Sequence, residues 1–474
     1  MSQAATKPQA ETETNIIASL VSRARTAMAA LADADQARVD EAVTALAWAI
    51  YEPARAEELA KQAVEDTGLG NVASKIIKNQ RKTFGCLRDL MRAKTVGIIE
   101  EDAAKGLVKY AKPVGVVAAI APSTNPAATP VNKAMMALKG GNAVIVAPSP
   151  AGAGTTTKTV DYMRDELVKI GLPADLVQVL PSPVNKALTQ SLMEAADLVV
   201  VTGSQNNVRR AYSSGTPAIG VGAGNVSVII DSSADLKDAA EKITMSKIFD
   251  NSTSCSSENA VIILNDVYDA ALDALKAAGG YLATAVEKDK IQATLWVDGH
   301  LNRKVIAKDA VVFAAEAGLS RDADGAAFFM VEDDNPGPDT PFCDEKLSLV
   351  LTVYRASNFD DAMTQVDTIM DVCGRGHSVG IHTGNMDHAR QLAEGLDTVR
   401  VLVNQPHTFG NGGSFTNGLE FTLSMGCGTW AGNSISENLN YRHFINITHL
   451  VTEIAEDKPS EDALFGEYWA KHGK

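Results

Sequence analysis

Cysteines are few and scattered. The chain of 474 residues has five of them, Cys86, Cys255, Cys343, Cys373 and Cys427. None stands at CxxC spacing, so neither a zinc ribbon nor a redox dithiol is expected, and no metal site is read from the sequence. A large chain so poor in cysteine fits the reducing cytoplasm. Basic residues are outnumbered, with Lys+Arg 43 against Asp+Glu 58 and a formal net charge of -15. Such a chain repels phosphate backbones, which excludes nucleic acid as its main partner; an anionic ligand must be held by local donors. Long apolar runs are missing as well. The stretch Val114 to Pro122 is far too short to span a bilayer, so no membrane partner is expected. Residues 1–14 are polar, lack the apolar segment of a secretory signal and read as a disordered tail. No GxGxxG fingerprint joins a strand to a helix and no GxxxxGK[ST] loop occurs, so the two commonest phosphate-binding loops are not supported.

What is present is an ordinary globular composition, 45% hydrophobic, and enough length for two or three domains. Amphipathic helices come first. Ile17, Leu20, Ala24 and Leu31 share one face; Val39, Val43, Leu46 and Ile50 share another, closed by Pro53. A third helix ends near Asp66, before Gly68 and Gly70, and a fourth carries Ile76, Ile77, Leu87 and Leu90. From Val114 the pattern changes to short apolar strands alternating with helices: Val114–Ile120, Ala143–Ala147, Val177–Leu180, Leu198–Val201 and Val226–Ile230. The alternation predicts an α/β protein with parallel, doubly wound sheets. Ligands in such sheets sit at strand carboxyl ends, here Pro122–Asn125, Pro148–Ser149 and Thr202–Ser204. The second half repeats the alternation, with strands at Ala260–Leu264, Leu349–Val353 and Val401–Val403. Glu332–Asp344 reads as a surface loop and Pro406–Gly418 as a mobile one.

One polar stretch stands apart, Asp250-Asn251-Ser252-Thr253-Ser254-Cys255-Ser256-Ser257-Glu258-Asn259. It joins a helical pattern (Leu236, Ala240, Ile243) to a buried-strand pattern. A thiol there is accessible and surrounding donors can shift it toward thiolate, which suits a nucleophile; alternatively it is a small buried hydrophobe.

Six motifs stand in sequence order: Pro122-Ser123-Thr124-Asn125-Pro126; Thr202-Gly203-Ser204; Tyr212 through Asn225 with its Gly220-Val221-Gly222-Ala223-Gly224 core; Phe249-Asp250-Asn251 before Cys255; Glu345-Lys346-Leu347-Ser348; and Gly426-Cys427-Gly428-Thr429-Trp430 through Asn438. Together they resemble the CoA-acylating branch of the aldehyde dehydrogenase superfamily, from about Ile16 to about Leu450. The resemblance implies two doubly wound α/β domains and a β-arm. The cofactor domain would be residues 1–98 and 114–230. The catalytic domain would be 231–437. An oligomerisation arm and tail would be 99–113 and 438–474, adding strands to a partner in a homodimer or homotetramer.

The resemblance also implies roles. Cys255 attacks the aldehyde, and Asn125 with the backbone N–H of Cys255 holds the oxyanion. NADP or NAD lies along Pro122, Ser123, Thr124, Ser149, Thr202, Gly203, Ser204, Gly222 and Gly224, with Glu345 orienting the nicotinamide ribose. Hydrolytic relatives carry a glutamate in the motif before the cysteine. Ile219 to Asn225 contains none, so coenzyme A is the expected acyl acceptor. The element Ala147-Pro148-Ser149-Pro150 lacks the carboxylate that would repel a 2′-phosphate; Lys158 or Arg209 is a candidate for meeting one. The stretch Leu423–Leu450 and the loop at Cys255 most resemble branch members acting on sulfoacetaldehyde, with acetaldehyde and succinate semialdehyde as alternatives. Ser254, Ser256, His407 and Thr408 are the candidate sulfonate donors. His377 and His382 read as ordinary polar residues, and Cys427 as a packed one. A catalytically silent scaffold of the same fold is the non-enzyme alternative.

Overall fold

Residues 6–474 are described by the structure, a computed structural model, with side chains from Glu13 onward. The expected disordered tail is only partly testable: residues 1–5 lie outside the described part, and a helix already runs from Thr6 to Met28. Four helices open the chain, Thr6–Met28, Gln36–Tyr51, Pro53–Thr67 and Val72–Met91. Asp35, Glu52 and Asn71 cap the last three, each accepting an N–H three residues on, and Pro53 occupies a first-turn position where its missing N–H costs nothing. Among the described residues no helix is long and apolar enough to cross a membrane.

Two parallel sheets carry the body of the molecule. The first has five strands in the spatial order Val177–Val179, Ala143–Ala147, Val116–Ile120, Leu198–Val201, Ala218–Gly220. Its central strands are buried at every position because helices cover both faces, so they read as continuous apolar runs. The order reverses between Val116–Ile120 and Leu198–Val201. The crevice at such a reversal is where this architecture binds ligands.

The second sheet has seven strands, ordered Gly280–Leu282, Phe328–Glu332, Val350–Ala356, Glu258–Leu264, Val226–Ile230, Val379–His382, Val401–Val403. Val226–Ile230, expected in the cofactor half, pairs here with Glu258–Leu264 and Val379–His382, so the first sheet ends at Ala218–Gly220. That three-residue strand was too short for periodicity to reveal. A third, antiparallel sheet joins Ile98–Asp102, Leu107–Pro113 and Ile445–Val451. Its strand Ile445–Val451 leaves Ile447, Leu450 and Val451 exposed. Pro406–Gly418 is not a mobile surface loop: His407, Thr408 and Gly410 through Ser414 are buried, and Asn411 Nδ2 donates to Ser256 Oγ at 2.9 Å. Its glycines and asparagines serve close packing rather than exposure.

Candidate active site

Three neighbouring strands of the second sheet begin at Val226, Glu258 and Val379. Their pairing is parallel and nearly in register, Val226 with Glu258 and Val379 with Ser227. The residues just ahead of them therefore converge: Gly224, Cys255 and His377. These amino ends face the carboxyl ends of the first sheet across one cleft of about 700 Å³. Every residue expected to hold the dinucleotide lines it: Pro122, Ser123, Thr124, Ser149, Thr202, Gly203, Ser204, Gly222, Gly224 and Glu345. Cys255, Asn125 and Ser254 line it too. Small residues leave room for an extended ligand, and hydroxyls supply neutral donors, so the wall fits a dinucleotide. Of the cations in this wall, Lys186, Arg210 and Arg303 are present. Lys158 instead bonds Glu58, and neither it nor Arg209 lines the cleft. Their sequence positions show charge but not which helix end faces the crevice.

The loop that delivers Cys255 is strained and held. Asp250, Asn251 and Ser252 all take left-handed backbone angles, φ 51°, 51° and 59°. Non-glycine residues hold such angles only where surroundings over-determine them. Here Lys75 and Lys78 donate to Asp250 at 3.0 and 2.5 Å, the Asn71 N–H donates to its other oxygen at 3.0 Å, and Ser252 Oγ donates to Lys247 O at 2.6 Å. Gly70 permits this approach, since a Cβ there would lie 1.9 Å from Asp250 Oδ1.

His377 Nε2 lies 3.4 Å from Cys255 Sγ. Burial, reinforced by Arg400, holds this imidazole down to about 3, so it is neutral and free to hydrogen-bond the thiol. Its Nδ1 is 2.7 Å from Ser378 Oγ, which is 2.8 Å from His407 Nε2. Two sets of tautomers satisfy the chain; the one with Cys255 S–H donating to His377, His377 Nδ1–H to Ser378 and Ser378 O–H to His407 leaves Nε2 of His377 as an acceptor facing the sulfur. Arg400 fixes the backbone below, its Nη1 donating to His377 O at 2.9 Å. His377 had no local signal, because its partner is distant in sequence. His407, a candidate sulfonate donor, lines neither cavity; its Nε2 lies 2.8 Å from Ser378 Oγ and its Nδ1 is buried without a partner.

The thiol is not pre-ionised as its serine-rich loop suggested. Burial, then the nearby Glu345 carboxylate, push Cys255 up to about 12. Glu345 itself is pushed up to about 8, chiefly by burial and then by Asp344. Cys427 is fully buried against Gly222, as expected of a packing residue.

The segment ahead of the strand Val226–Ile230 has little room for added side chains at its glycines. A Cβ on Gly224 would lie 2.1 Å from Cys255 O, and one on Gly222 would lie 2.8 Å from Cys427 Sγ. Asn125 lines both this cleft and a smaller cavity on the far side of Ser254; its Oδ1 has no partner and its Nδ2 makes only a 3.4 Å contact with Thr124 Oγ1. Ser256 and Thr408 line the smaller cavity.

Comparison with known proteins agrees with this geometry. The chain is 54% identical over 466 residues, 98% of its length and 94% of the relative's, to a sulfoacetaldehyde dehydrogenase (acylating) of Cupriavidus necator. It is 46% identical to the Bilophila wadsworthia protein of that name, over 95% of this chain and 98% of the relative. An acetylating aldehyde dehydrogenase from Geobacillus thermoglucosidasius superposes with a TM-score of 0.91 at 33% identity, covering 95% of this chain and 99% of the other. The sequence model of the aldehyde dehydrogenase family matches residues 2–418, and the chain belongs to that family.

Proposed function

We propose that this protein is a CoA-acylating aldehyde dehydrogenase that converts sulfoacetaldehyde, coenzyme A and NAD(P)+ to sulfoacetyl-CoA and NAD(P)H. The observation that carries the reading is the pairing of Cys255 with a neutral His377 across from a glycine segment with no carboxylate. His377 Nε2 takes the thiol proton as Cys255 sulfur bonds to the aldehyde carbon. The oxyanion is met by the Asn125 side-chain amide and the Cys255 N–H. Glu345, Thr202 and Ser204 hold the dinucleotide in the cleft; when bound, its nicotinamide accepts the hydride that leaves the former aldehyde carbon. The acyl group then remains on Cys255 as a thioester.

Water is a poor acceptor here because no base stands in Ile219 to Asn225 to activate it. His377 gives the first proton up to solvent once the thioester has formed; the coenzyme A thiol then attacks, its proton passing to His377 and on to the Cys255 sulfur as that sulfur leaves. The lack of a carboxylate in Ala147–Pro150, with Lys186 and Arg210 in the cleft wall, supports acceptance of NADP as well as NAD. Sulfoacetaldehyde is favoured over acetaldehyde and succinate semialdehyde by the names of the most similar relatives. Five free cysteines fit a cytoplasmic location. The antiparallel arm, with its exposed apolar side chains, suits strand addition to a second copy in a homodimer or homotetramer.

A panel of the three aldehydes with each dinucleotide, with and without coenzyme A, tests the reading. Acyl-CoA is the expected product, with sulfoacetaldehyde giving the largest kcat/KM. Free acid formed at the same rate with and without coenzyme A would overturn it.

A further inference from the structure

The helix Val72–Met91 turns cations toward the interior alongside Cys86 and Leu90. Lys75, Lys78 and Lys82 are 3%, 5% and 8% exposed. Lys75 and Lys78 share a single carboxylate, Asp250. Among the described residues Lys82 pairs with no carboxylate; its Nζ donates to Gly412 O at 2.7 Å and lies 5.5 Å from the centre of the Phe421 ring, leaving two N–H groups. Arg81 also bonds only neutral acceptors, Phe409 O and Ser414 Oγ, both at 3.2 Å, and lies against the rings of Phe409, Phe415 and Phe421. Buried cations are normally paired.

Lys78, Arg81 and Lys82 line the smaller cavity beside Cys255, and no Asp or Glu lines it. Asn125 and Ser254 belong both to this cavity and to the dinucleotide cleft, so the two meet at the nucleophile. In a chain of net charge -15 this is a local reversal of sign. The geometry points to Lys82 and Arg81 as specificity-determining residues that bind the anionic tail of the aldehyde and thereby set its carbonyl at Cys255. A sulfonate has three acceptor oxygens. The two remaining N–H groups of Lys82 and the Ser254 hydroxyl on the cavity wall can meet them, while Arg81, held in place by its aromatic surround, supplies the second charge. This inference rests on the proposed sulfoacetaldehyde activity.

The test compares kcat/KM for sulfoacetaldehyde and for acetaldehyde in the wild type, Lys82→Met, Lys82→Arg and Arg81→Gln. Loss of a charge-assisted contact is expected to lower the sulfoacetaldehyde-to-acetaldehyde ratio by about 10- to 100-fold in Lys82→Met, through KM more than kcat. Arg81→Gln should lower it less, and Lys82→Arg should restore most of it. Ethanesulfonate should compete with the aldehyde in the wild type, while its neutral amide should not; this arm needs no variant to fold. An unchanged ratio in Lys82→Met, an equal loss on both aldehydes, or absence of ethanesulfonate competition would overturn the inference. A wild type that uses acetaldehyde but not sulfoacetaldehyde would instead overturn the substrate reading on which it rests.

Discussion

Lys133, on the cofactor side, and Lys82, on the nucleophile side, are both buried lysines without a carboxylate partner. Lys133 Nζ donates to Ile120 O at 2.7 Å and Val200 O at 3.0 Å, joining two strands of the five-stranded sheet just where their order reverses. Lys82 gives one bond to a carbonyl and meets a cavity with the rest. Burial lowers the affinity of both for a proton, Lys82 to about 7. The difference is in spare hydrogen-bonding capacity. A lysine whose N–H groups end on backbone carbonyls ties strands together; one with N–H groups left over at a cavity can bind something. The contrast extends to the two walls of the site. The first sheet offers small residues and hydroxyls, recognising a ligand by shape. The second offers a thiol and an imidazole, and the helix Val72–Met91 brings cations up beside them.

Several changes would break or sharpen this contrast. Cys255→Ala removes the acyl carrier and should lower kcat by about 10⁴-fold or more, followed by NAD(P)H formation. His377→Ala should cost about 10²- to 10⁴-fold and change the pH profile. With His377 neutral above about pH 3, the wild-type rate should be flat from pH 6 to 8. Without that base the buried thiol must ionise into solvent, and the rate should climb roughly tenfold per pH unit. Gly224→Ala pushes on the Cys255 backbone and should cost about 100-fold in kcat by misplacing the sulfur.

On the cofactor side, Lys133→Met should remove the hydrogen bonds to Ile120 O, which keeps the Thr202 N–H, and to Val200 O, and destabilise the protein by about 1–3 kcal/mol in all, read in denaturant titrations. It should not change the preference between charged and neutral aldehydes. Glu345→Gln should have the smallest effect on kcat, while raising the KM for NAD(P)+ because Glu345 faces the cleft. Above pH 8 the wild-type Glu345 ionises and its charge disfavours the thiolate, so the rate should fall; the glutamine variant should lose that alkaline decline.

The strands and the small polar residues of the cleft wall were legible because each is local. Buried parallel strands such as Ala143–Ala147 are unbroken apolar runs, and the small polar residues at their carboxyl ends sit one turn beyond. What stayed hidden depends on contacts between distant residues. Lysines at 75, 78 and 82 on an amphipathic helix look solvated, and only the fold reveals that they lie beneath the loop at Asp250 and Gly412. His377 lacks any neighbour at ligand spacing; its importance comes from the adjacency of three strand starts. That His407 would lie outside both cavities, beside Ser378, was hidden for the same reason. A thiol among serines looked activated, yet burial outweighs those hydroxyls.

The antiparallel arm joins Leu107–Pro113 to Ile445–Val451, residues separated by most of the polypeptide. A nascent chain emerging from the ribosome can complete the five-stranded sheet long before it has made the last strand of the arm. Any contact made through that strand must therefore wait until long after the loop that carries Cys255 has been synthesised.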